Sequence, residues 1–384
     1  MGDSRVIESA ASSTGLADRT AIAQVTGAGD PVCGEQIHFL VRQQDGGAPL
    51  RIELGGQPVT LGRSAAADVV LTDSQVSKRH CEVRVVGREV LVADLGSTNG
   101  TLIEKARLRG ETVLPVGARL RVGGSVFLHE LRFRHEVAQA RELENDLRRA
   151  RAYVEALLPP PATAGPVRTD WCFVPSSMLG GDAFGYHPLG EARFALYLLD
   201  VCGHGAGAAL HSVAALNALR QHALPGVDFA RPEEVLRGLN DAFDMARHGG
   251  MYFTAWYGVY DPRTRRLAYA SGGHPPALLV GPERREAVAL QTRGLPVGTF
   301  PGLAFPAATA DVAPGSRLYL FSDGVYEIVT REGRDWSLAA FQELVLQPPQ
   351  PGLAESARLR QAVGAVAGTP ELPDDFSLLV AAFD

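Results

Sequence analysis

Residues 178–205, MLGGDAFGYHPLGEARFALYLLDVCGHG, decide the fold of the largest part of the chain. Asp182 follows a Gly-Gly turn, and Asp200 stands at the head of a second glycine-rich turn. Between them, residues 192–199 are apolar apart from Arg193 and are short enough to form a buried strand. A strand that ends in a carboxylate and a glycine turn holds an oxygen atom in a fixed place, so this stretch predicts a metal-binding site.

Two further acidic segments adjoin predicted strands. Asp323 follows the apolar run RLYLF, and the pair Asp374-Asp375 precedes the run FSLLV. Carboxylates without imidazole or thiolate partners form a set of hard oxygen donors that suits Mg²⁺ or Mn²⁺. Two such ions would clamp a phosphoryl group and lower the pKa of a water molecule between them. These residues therefore predict hydrolysis assisted by metal ions, without a protein nucleophile.

The segment around these aspartates, residues 163–384, alternates strand-like runs with two helical patterns. The helical patterns cover residues 206–224 and 233–246, and the second follows Pro232, a favourable first-turn residue. Strands joined to their neighbours by turns, with helices in separate blocks, predict an α+β sandwich rather than a doubly wound sheet. The strand-like runs are residues 194–199, 252–260, 267–270, 277–280, 317–321 and 376–382.

Six motifs follow one another in this segment. They are GGD at 180–182, DVCGHG at 200–205, SGGHPPALL at 271–279, GLPVG at 294–298, SDG at 322–324 and DDFSLLV at 374–380. In this order they resemble the SpoIIE/RsbU-type branch of the metal-dependent phosphatase 2C-like (PPM) family. The resemblance implies an αββα-sandwich hydrolase, a serine/threonine protein phosphatase that uses two Mn²⁺ or Mg²⁺ ions.

The same resemblance implies roles for individual residues. Asp200 would bridge the two ions, and the backbone carbonyl of Val201 would be a further ligand. Asp323 and Asp374 would bind one ion, while Asp182 would serve the other, directly or through water. The implied catalytic residues are Asp182, Asp200, Asp323 and Asp374, and the implied metal ligands are these four together with Val201 and the neighbouring Asp375.

The chain also departs from the pattern of the family. Gly185 stands where many relatives have an acidic residue, so no metal role is expected there. The phosphate-gripping arginine of the animal phosphatases has no recognisable counterpart. His204 could act as a general acid, but a structural role in the turn is the favoured interpretation.

The segment from residue 37 to 134 has a different character. Short runs of β-branched and apolar residues are separated by Gly, Asn, Asp and Ser, which predicts an all-β sandwich. Three loops carry polar groups: LGRS at 61–64, VSKRH at 76–80 and DLGSTNGT at 94–101. A phosphate dianion needs a guanidinium group and hydroxyl and amide donors that converge on it, and these loops offer such a set.

Together the three loops resemble the forkhead-associated (FHA) domain family, which implies a phosphothreonine-binding module. By the pattern of that family, Arg63 and Ser77 would hold the phosphate, and Asn99 would engage the backbone of the bound peptide. His80 and Gly62 would be structural. The implied phosphopeptide-binding residues are Arg63, Ser77, Lys78, Arg79, Thr98 and Asn99.

The segment between these two regions predicts a helix with a heptad seam. Its apolar residues alternate in steps of three and four: Ala140, Leu143, Leu147, Ala150, Val154 and Leu157. The seam covers fewer than three heptads, so two interpretations stay open. The helix either packs on its own domain or pairs two chains as a coiled-coil-like linker. Residues 159–161 are all proline and end it.

The sequence therefore predicts four parts: a disordered tail at 1–36, an FHA domain at 37–134, a helical linker at 135–162 and a phosphatase domain at 163–384. The net charge of −6, with no basic stripe, argues against a nucleic-acid partner. The four cysteines lack a CxxC spacing, which suits a reducing compartment. No apolar run reaches the length of a membrane span, so we expect a cytoplasmic protein with no membrane partner.

The predicted function is a protein phosphatase that acts on phosphoserine or phosphothreonine, with an FHA domain that recruits or senses phosphothreonine proteins. The resemblance implies a bacterial signalling or partner-switching role, with a STAS-type anti-anti-sigma protein as candidate substrate. The heptad seam of the linker helix adds a candidate homodimer. The alternative is a catalytically silent phosphatase fold that serves as a scaffold and phosphothreonine-binding module. That alternative predicts missing metal aspartates, and none is missing.

Overall fold

The computed structural model describes residues 22–24, 36–42, 50–190, 192–369 and 372–384. The chain divides into two compact units, Met1–Glu144 and Asn145–Asp384. Most of the predicted tail, residues 1–36, lies outside the described residues. Within it, Ile22–Gln24 is described and forms a strand. The four-part division stays a prediction.

The first unit is an all-β sandwich, as the sequence predicts. One sheet has seven strands in the order β1-β3-β2-β12-β11-β8-β9, and the other has five in the order β10-β7-β6-β4-β5. The strands are β1 Ile22–Gln24, β2 Gln36–Arg42, β3 Leu50–Leu54, β4 Val59–Gly62, β5 Val69–Val70, β6 Cys81–Val86, β7 Glu89–Asp94, β8 Thr101–Ile103, β9 Ala106–Arg107, β10 Thr112–Leu114, β11 Arg119–Val122 and β12 Ser125–Phe133.

The core of this sandwich lies between its two sheets. Leu40 and Phe127 of the seven-stranded sheet pack in one buried cluster with Leu61, Val83 and Val92 of the five-stranded sheet. Alternate residues of β6 and β7 point inward, which is the pattern of strands with one solvated face. The packing of the two inner faces leaves the loops at the ends of the strands free to carry polar groups.

Helix α1, Arg134–Leu157, follows the first sandwich and crosses the boundary between the two units. Val137 is buried against Ile37 and Phe39 of β2, and Arg141 forms an ion pair of 3.0 Å with Glu53. At the other end Leu157 packs on a core cluster of the second unit. Part of the predicted heptad seam is left open, because the side chain of Leu143 is 61% exposed.

The second unit is an αββα sandwich, which confirms the predicted fold class. It has two five-stranded sheets, each named here after one of its central strands. The β15 sheet has the order β14-β15-β16-β17-β20, and the β22 sheet has the order β13-β22-β21-β18-β19. Its elements are β13 Val167–Val174, β14 Asp182–Leu189, β15 Arg193–Val201, α2 Ala206–Arg220, α3 Pro232–Ala242, β16 Phe253–Asp261, β17 Arg266–Gly272, β18 Ala277–Val280, β19 Ala287–Leu290, β20 Ala307–Asp311, β21 Arg317–Phe321, a one-turn 3₁₀ helix Asp323–Val325, α4 Leu338–Leu346, α5 Glu355–Ala367 and β22 Phe376–Phe383.

Strand β15 shows how the layers are assembled. Leu196 and Leu198 belong to the cluster between the two sheets, whereas Tyr197 and Leu199 belong to the cluster under α2 and α3. Both faces of the strand are therefore buried, which is why its sequence reads as a continuous apolar run. Helices α4 and α5 cover the outer face of the β22 sheet in the same way.

Three details differ from the predicted helices. Helix α3 ends at Ala242, four residues before the end of its predicted pattern. Helix α2 ends at Arg220, four residues before the end of the predicted pattern, and His222 just beyond it has a φ of +53°. Helices α4 and α5 had no counterpart among the predicted helical patterns. Of the helices in the described part of the chain, none has the length and apolar character needed to cross a membrane.

Candidate functional site

The register of β14 and β15 pairs Asp182 directly with Asp200. Two residues along β15 from Asp200 lies Leu198, and two along β14 from Asp182 lies Phe184; both belong to the cluster between the sheets. Side chains in a strand alternate between its faces, so both carboxylates point into the layer between the sheets, at its end. The two predicted aspartates therefore lie at one edge of the core between the two sheets.

The β22 sheet supplies the remaining aspartates at the same edge. Strand β21 ends just before Asp323, and β22 begins just after Asp375, and the two strands are antiparallel neighbours. The backbone N–H of Ser322 donates to the carbonyl of Ser377 over 3.1 Å, which joins the two turns. This pairing of residues that lie 55 positions apart in the chain places the SDG and DDF motifs side by side.

Glycines allow these turns to come close together. A Cβ on Gly324 would clash with the backbone carbonyl of Asp375, and a Cβ on Gly181 would lie 2.9 Å from the carbonyl oxygen of Val201. Contacts this close to backbone atoms are open only to glycine. The glycines of the GGD and SDG motifs are therefore explained by packing around the aspartates.

The carboxylates at this edge repel one another in a poorly solvated place. Burial, followed by the charge of Asp323, raises the pKa of Asp200 to about 7. Burial, followed by the charges of Asp200 and Asp375, raises the pKa of Asp182 well above its usual value. Burial, followed by Asp374 and Glu327, raises the pKa of Asp323. Like charges gathered in this way are stabilised by a bound cation.

The donor chemistry of the cluster fits a hard divalent cation. All the side chains are carboxylates, and Oδ2 of Asp182 is buried without a hydrogen-bond partner. Within the described residues, no three His, Cys, Asp or Glu side chains stand together at the spacing of metal ligands. The aspartates thus share one electrostatic environment, while their oxygen atoms are not yet in a coordination geometry.

The raised pKa values predict how the metal-free protein responds to pH. The folded-state pKa of Asp200 lies near 7 and its ordinary value is 3.8. Well below pH 3.8 the carboxyl group is protonated in both the folded and the unfolded state, so it does not lower the stability of the fold. Between these values the unfolded chain ionises more readily, so stability falls as pH rises and stays low above about pH 7. Adding Mn²⁺ should offset that loss.

The measurement is calorimetric unfolding of the chelator-treated protein at about pH 5 and about pH 8, beside Asp200→Asn. We expect the variant to lose less stability than the wild-type protein between the two pH values, because it has one carboxylate fewer to ionise. An equal loss in both proteins would contradict this assignment.

The two residues of the Asp374-Asp375 pair differ in their surroundings. Asp374 is exposed, and its Oδ1 accepts the N–H of Asp375 over 2.7 Å. Asp375 is buried, and its oxygens accept hydrogen bonds from Ser176 and from the N–H of Gly181. The resemblance implies that both are metal ligands, whereas only Asp374 keeps its side chain open to solvent.

Two residues near the site were missed by reasoning from sequence. Glu327 contributes to the raised pKa of Asp323, and its N–H donates to the carbonyl of Asp323 over 2.8 Å. Its place in the SDGVYE motif was the available signal. No sequence pattern indicated that Ser176 belongs to the site, because it lies 199 residues before Asp375 in the chain.

The structure also shows the surroundings of Gly185, where the chain departs from the family pattern, and of two histidines near the motifs. A Cβ on Gly185 would lie 2.5 Å from the hydroxyl oxygen of Tyr197, which is itself buried, so an acidic side chain has no room there. His204 is exposed in the turn before α2. His274 is fully buried beside Thr254, and burial lowers its pKa to about 3. His274 is therefore a neutral structural residue.

A second candidate site lies at the loop ends of the first sandwich. The N–H of Thr98 donates to Oγ of Ser77 over 3.1 Å, and Nδ2 of Asn99 donates to the carbonyl of Gln75 over 2.8 Å. Nε of Arg63 donates to the carbonyl of Val76 over 3.2 Å. The loops at 61–64, 76–80 and 94–101 are thus brought together as the sequence predicts.

A buried histidine holds these loops. Nδ1 of His80 accepts the N–H of Ser77 over 3.1 Å, so Nε2 carries the proton and donates to the carbonyl of Gly100 over 3.2 Å. A Cβ on Gly62 would clash with the carbonyl of Lys78. Both residues therefore act inside the scaffold, while five polar side chains of the loops are exposed: Arg63, Lys78, Arg79, Thr98 and Asn99.

Comparison with protein families finds two matches in this chain. The profile described as Stage II sporulation protein E (SpoIIE) matches residues 190–384, which is more than half of the chain. The profile described as FHA domain matches residues 59–123. The first range contains β15 to β22, and the second contains the three loops of the first sandwich.

Individual relatives match each region. Phosphoserine phosphatase RsbP of Bacillus subtilis is 29% identical over 185 residues, 48% of this chain and 46% of that protein. FHA domain-containing protein FhaB of Mycolicibacterium smegmatis is 44% identical over 79 residues, 21% of this chain and 51% of that protein. The chain thus spans about half the length of these relatives.

A solved structure agrees with the architecture of the second unit. The SiaA-PP2C domain of Pseudomonas aeruginosa superposes with a TM-score of 0.57 and 22% identity, covering 64% of this chain and 99% of that domain. At this identity the likeness shows the fold alone.

Proposed function

The chain belongs to the SpoIIE family, and from this premise we propose that it is a metal-dependent protein phosphatase that hydrolyses phosphoserine or phosphothreonine. The observation that carries the proposal is the edge of the inter-sheet core, where paired Asp182 and Asp200 meet the turn of Asp323 from the other sheet. An FHA domain in the same chain would bring phosphothreonine proteins to the enzyme.

In this mechanism, bound Mn²⁺ or Mg²⁺ would neutralise the phosphoryl oxygens and lower the pKa of an attacking water molecule. Asp200 would bridge the ions, and the carbonyl of Val201 would assist it. Asp182 would serve one ion, and Asp323 and Asp374 would bind the other. Because these residues lie at the ends of strands in two packed sheets, their backbones are held in place, and adjustment of the side chains would bring their oxygen atoms onto the ions.

The proposed phosphopeptide site uses the exposed residues of the three loops together with the half-buried Ser77. Arg63 and Ser77 would hold the phosphate, and Asn99 would bind the backbone of the peptide. Lys78, Arg79 and Thr98 are exposed on the same loops and would add positive charge and a hydroxyl donor. The partner is therefore a protein that carries phosphothreonine.

The relatives support a proposal for the substrate class. RsbP is named a phosphoserine phosphatase, and a partner-switching role with a phosphorylated STAS-type anti-anti-sigma substrate is the proposal for this chain. The test is release of phosphate from phosphoserine and phosphothreonine proteins of this type, with Mn²⁺ or with a chelator. We expect release only with the ion. An absence of release from every such protein at saturating Mn²⁺ would refute the proposal.

The scaffold alternative is not favoured. A scaffold could lose the carboxylates at the metal positions, yet all four aspartates are present. Burial and the charges of neighbouring carboxylates raise the pKa values of Asp182, Asp200 and Asp323. An arrangement of this kind costs stability in a protein that binds no cation.

We also propose that α1 pairs two copies of the chain. Its seam residue Leu143 is 61% exposed, and Ala140 beside it is exposed as well. Leu143→Glu would place a charge in the seam, so we expect self-association to weaken roughly tenfold or more. Sedimentation equilibrium measures this, with Asn145→Glu on the exposed side as the control. Equal association of the wild-type protein and Leu143→Glu would rule out this interface.

A further inference from the structure

Asp375 is the most highly hydrogen-bonded carboxylate of the site. Its Oδ1 accepts the N–H and the hydroxyl of Ser176 over 2.7 and 2.9 Å. Its Oδ2 accepts the N–H of Gly181 over 2.7 Å and that of Asp182 over 3.4 Å. The side chain is only 7% exposed, so these donors come from protein on both sides of the carboxylate.

The backbone of Asp375 is equally engaged. Its carbonyl accepts the hydroxyl of Ser322 over 3.0 Å, and the same hydroxyl accepts the N–H of Ser377 over 3.2 Å. Gly324 packs against that carbonyl without room for a Cβ. The position of the SDG turn, with Asp323 in it, is thereby set from the main chain of Asp375.

The GGD turn is set from the side chain of Asp375. A Cβ on Gly180 would lie 2.5 Å from Oδ2 of Asp375, so the glycine is what lets the carboxylate approach. Gly181, which donates to the same oxygen, also packs against the carbonyl of Val201. One residue therefore joins the three segments that carry Asp182, Asp323 and Asp374.

We infer that Asp375 is a positioning residue and not a metal ligand: it clamps the GGD turn of one sheet to the SDG and DDF turns of the other, and so sets the spacing of the ligands. The inference rests on the proposed function, because the spacing matters only if the aspartates bind ions. It assigns the two aspartates of one motif to different tasks, with Asp374 as ligand and Asp375 as clamp.

The test compares Asp375→Asn with Asp374→Asn in the full chain. An asparagine at 375 must turn its NH₂ group toward N–H donors in either orientation, whereas one at 374 keeps the oxygen that accepts the N–H of Asp375. We expect Asp375→Asn to lower the Tm of the chelator-treated protein by roughly 2–10 °C. Asp374→Asn should leave that Tm unchanged or raise it, because it removes a repelling charge.

Metal affinity supplies the second measurement. By titration calorimetry with Mn²⁺, Asp375→Asn should bind about 10- to 100-fold more weakly, and high Mn²⁺ should restore most of its phosphatase rate. Ser176→Ala removes a single donor to Asp375 and no acidic group. A loss of Mn²⁺ affinity of less than about tenfold, without loss of folding, is expected for it.

Each other outcome overturns the inference in a recognisable way. If Asp375→Asn lost Mn²⁺ binding with no fall in the metal-free Tm, Asp375 would be a ligand. If its Tm fell while its Mn²⁺ affinity stayed unchanged, the residue would be structural only. In both cases the proposed phosphatase function stands. If the wild-type protein bound no Mn²⁺, the inference and the proposed function would fail together.

Discussion

Replacing Asp200 by asparagine is expected to abolish phosphatase activity, with a fall in kcat/KM of at least about 10²- to 10³-fold. Asp200 pairs with Asp182 across β14 and β15, and the charge of Asp323 next to the other sheet helps to raise its pKa. Asparagine keeps the shape of the side chain but removes one ligand oxygen and the negative charge. The proposed bridge between the two ions is therefore lost.

The measurement is the initial rate of phosphate release from a phosphoprotein at saturating Mn²⁺. Asp241→Asn is the matched control, because Asp241 is exposed on α3, outside the cluster. The Asp200 variant should remain folded in chelator, since it loses a partly buried carboxylate whose pKa is raised to about 7. A variant that kept more than about a tenth of the wild-type rate would show that Asp200 is not the bridging ligand.

Replacing Arg63 by alanine is expected to weaken phosphothreonine-peptide binding by about 10²-fold or more, because truncating one partner of a hydrogen-bonded charge pair costs 2–5 kcal/mol or more. Arg63 is exposed, and its Nε–H is fixed on the carbonyl of Val76 over 3.2 Å. The rest of the guanidinium group is therefore oriented and free to donate to phosphate oxygens. Arg63→Lys keeps the charge but loses the planar fork, so an intermediate loss is expected.

Fluorescence anisotropy with a phosphothreonine peptide selected from a library measures this, beside the unphosphorylated peptide. Arg88→Ala is the control, because Arg88 is exposed at the β6–β7 turn, the end of those strands away from the three loops. If Arg63→Ala and Arg88→Ala bound the phosphopeptide equally well, the proposed phosphate site would be misplaced.

The predicted strands were right where burial on both faces made the sequence continuously apolar. Strand β15 is such a case, because Leu196 and Tyr197 face different buried layers. Strand β14 is not continuously apolar, since it contains Gly185 and Pro188. It tolerates proline because it lies at the edge of its sheet.

Helix α5 escaped prediction because its buried face is partly polar. Glu355 and Arg358 are buried, and they form an ion pair of 2.8 Å that Arg284 joins from another segment. Buried charges that satisfy one another interrupt the apolar period that identifies a helix. Only the tertiary contacts reveal that this face belongs to the core.

The kinds of residue at the candidate site were readable from the sequence alone. Aspartates next to glycine turns and strand ends indicate hard oxygen donors, and the order of the motifs indicates the fold that brings these aspartates together. The different tasks of Asp374 and Asp375 were decided only by the tertiary structure. The N–H groups of Gly181 and Ser176 donate hydrogen bonds to the carboxylate of Asp375. These two residues lie 194 and 199 positions away from Asp375 in the chain. A local pattern cannot contain such donors, because they meet the carboxylate only when the two sheets pack.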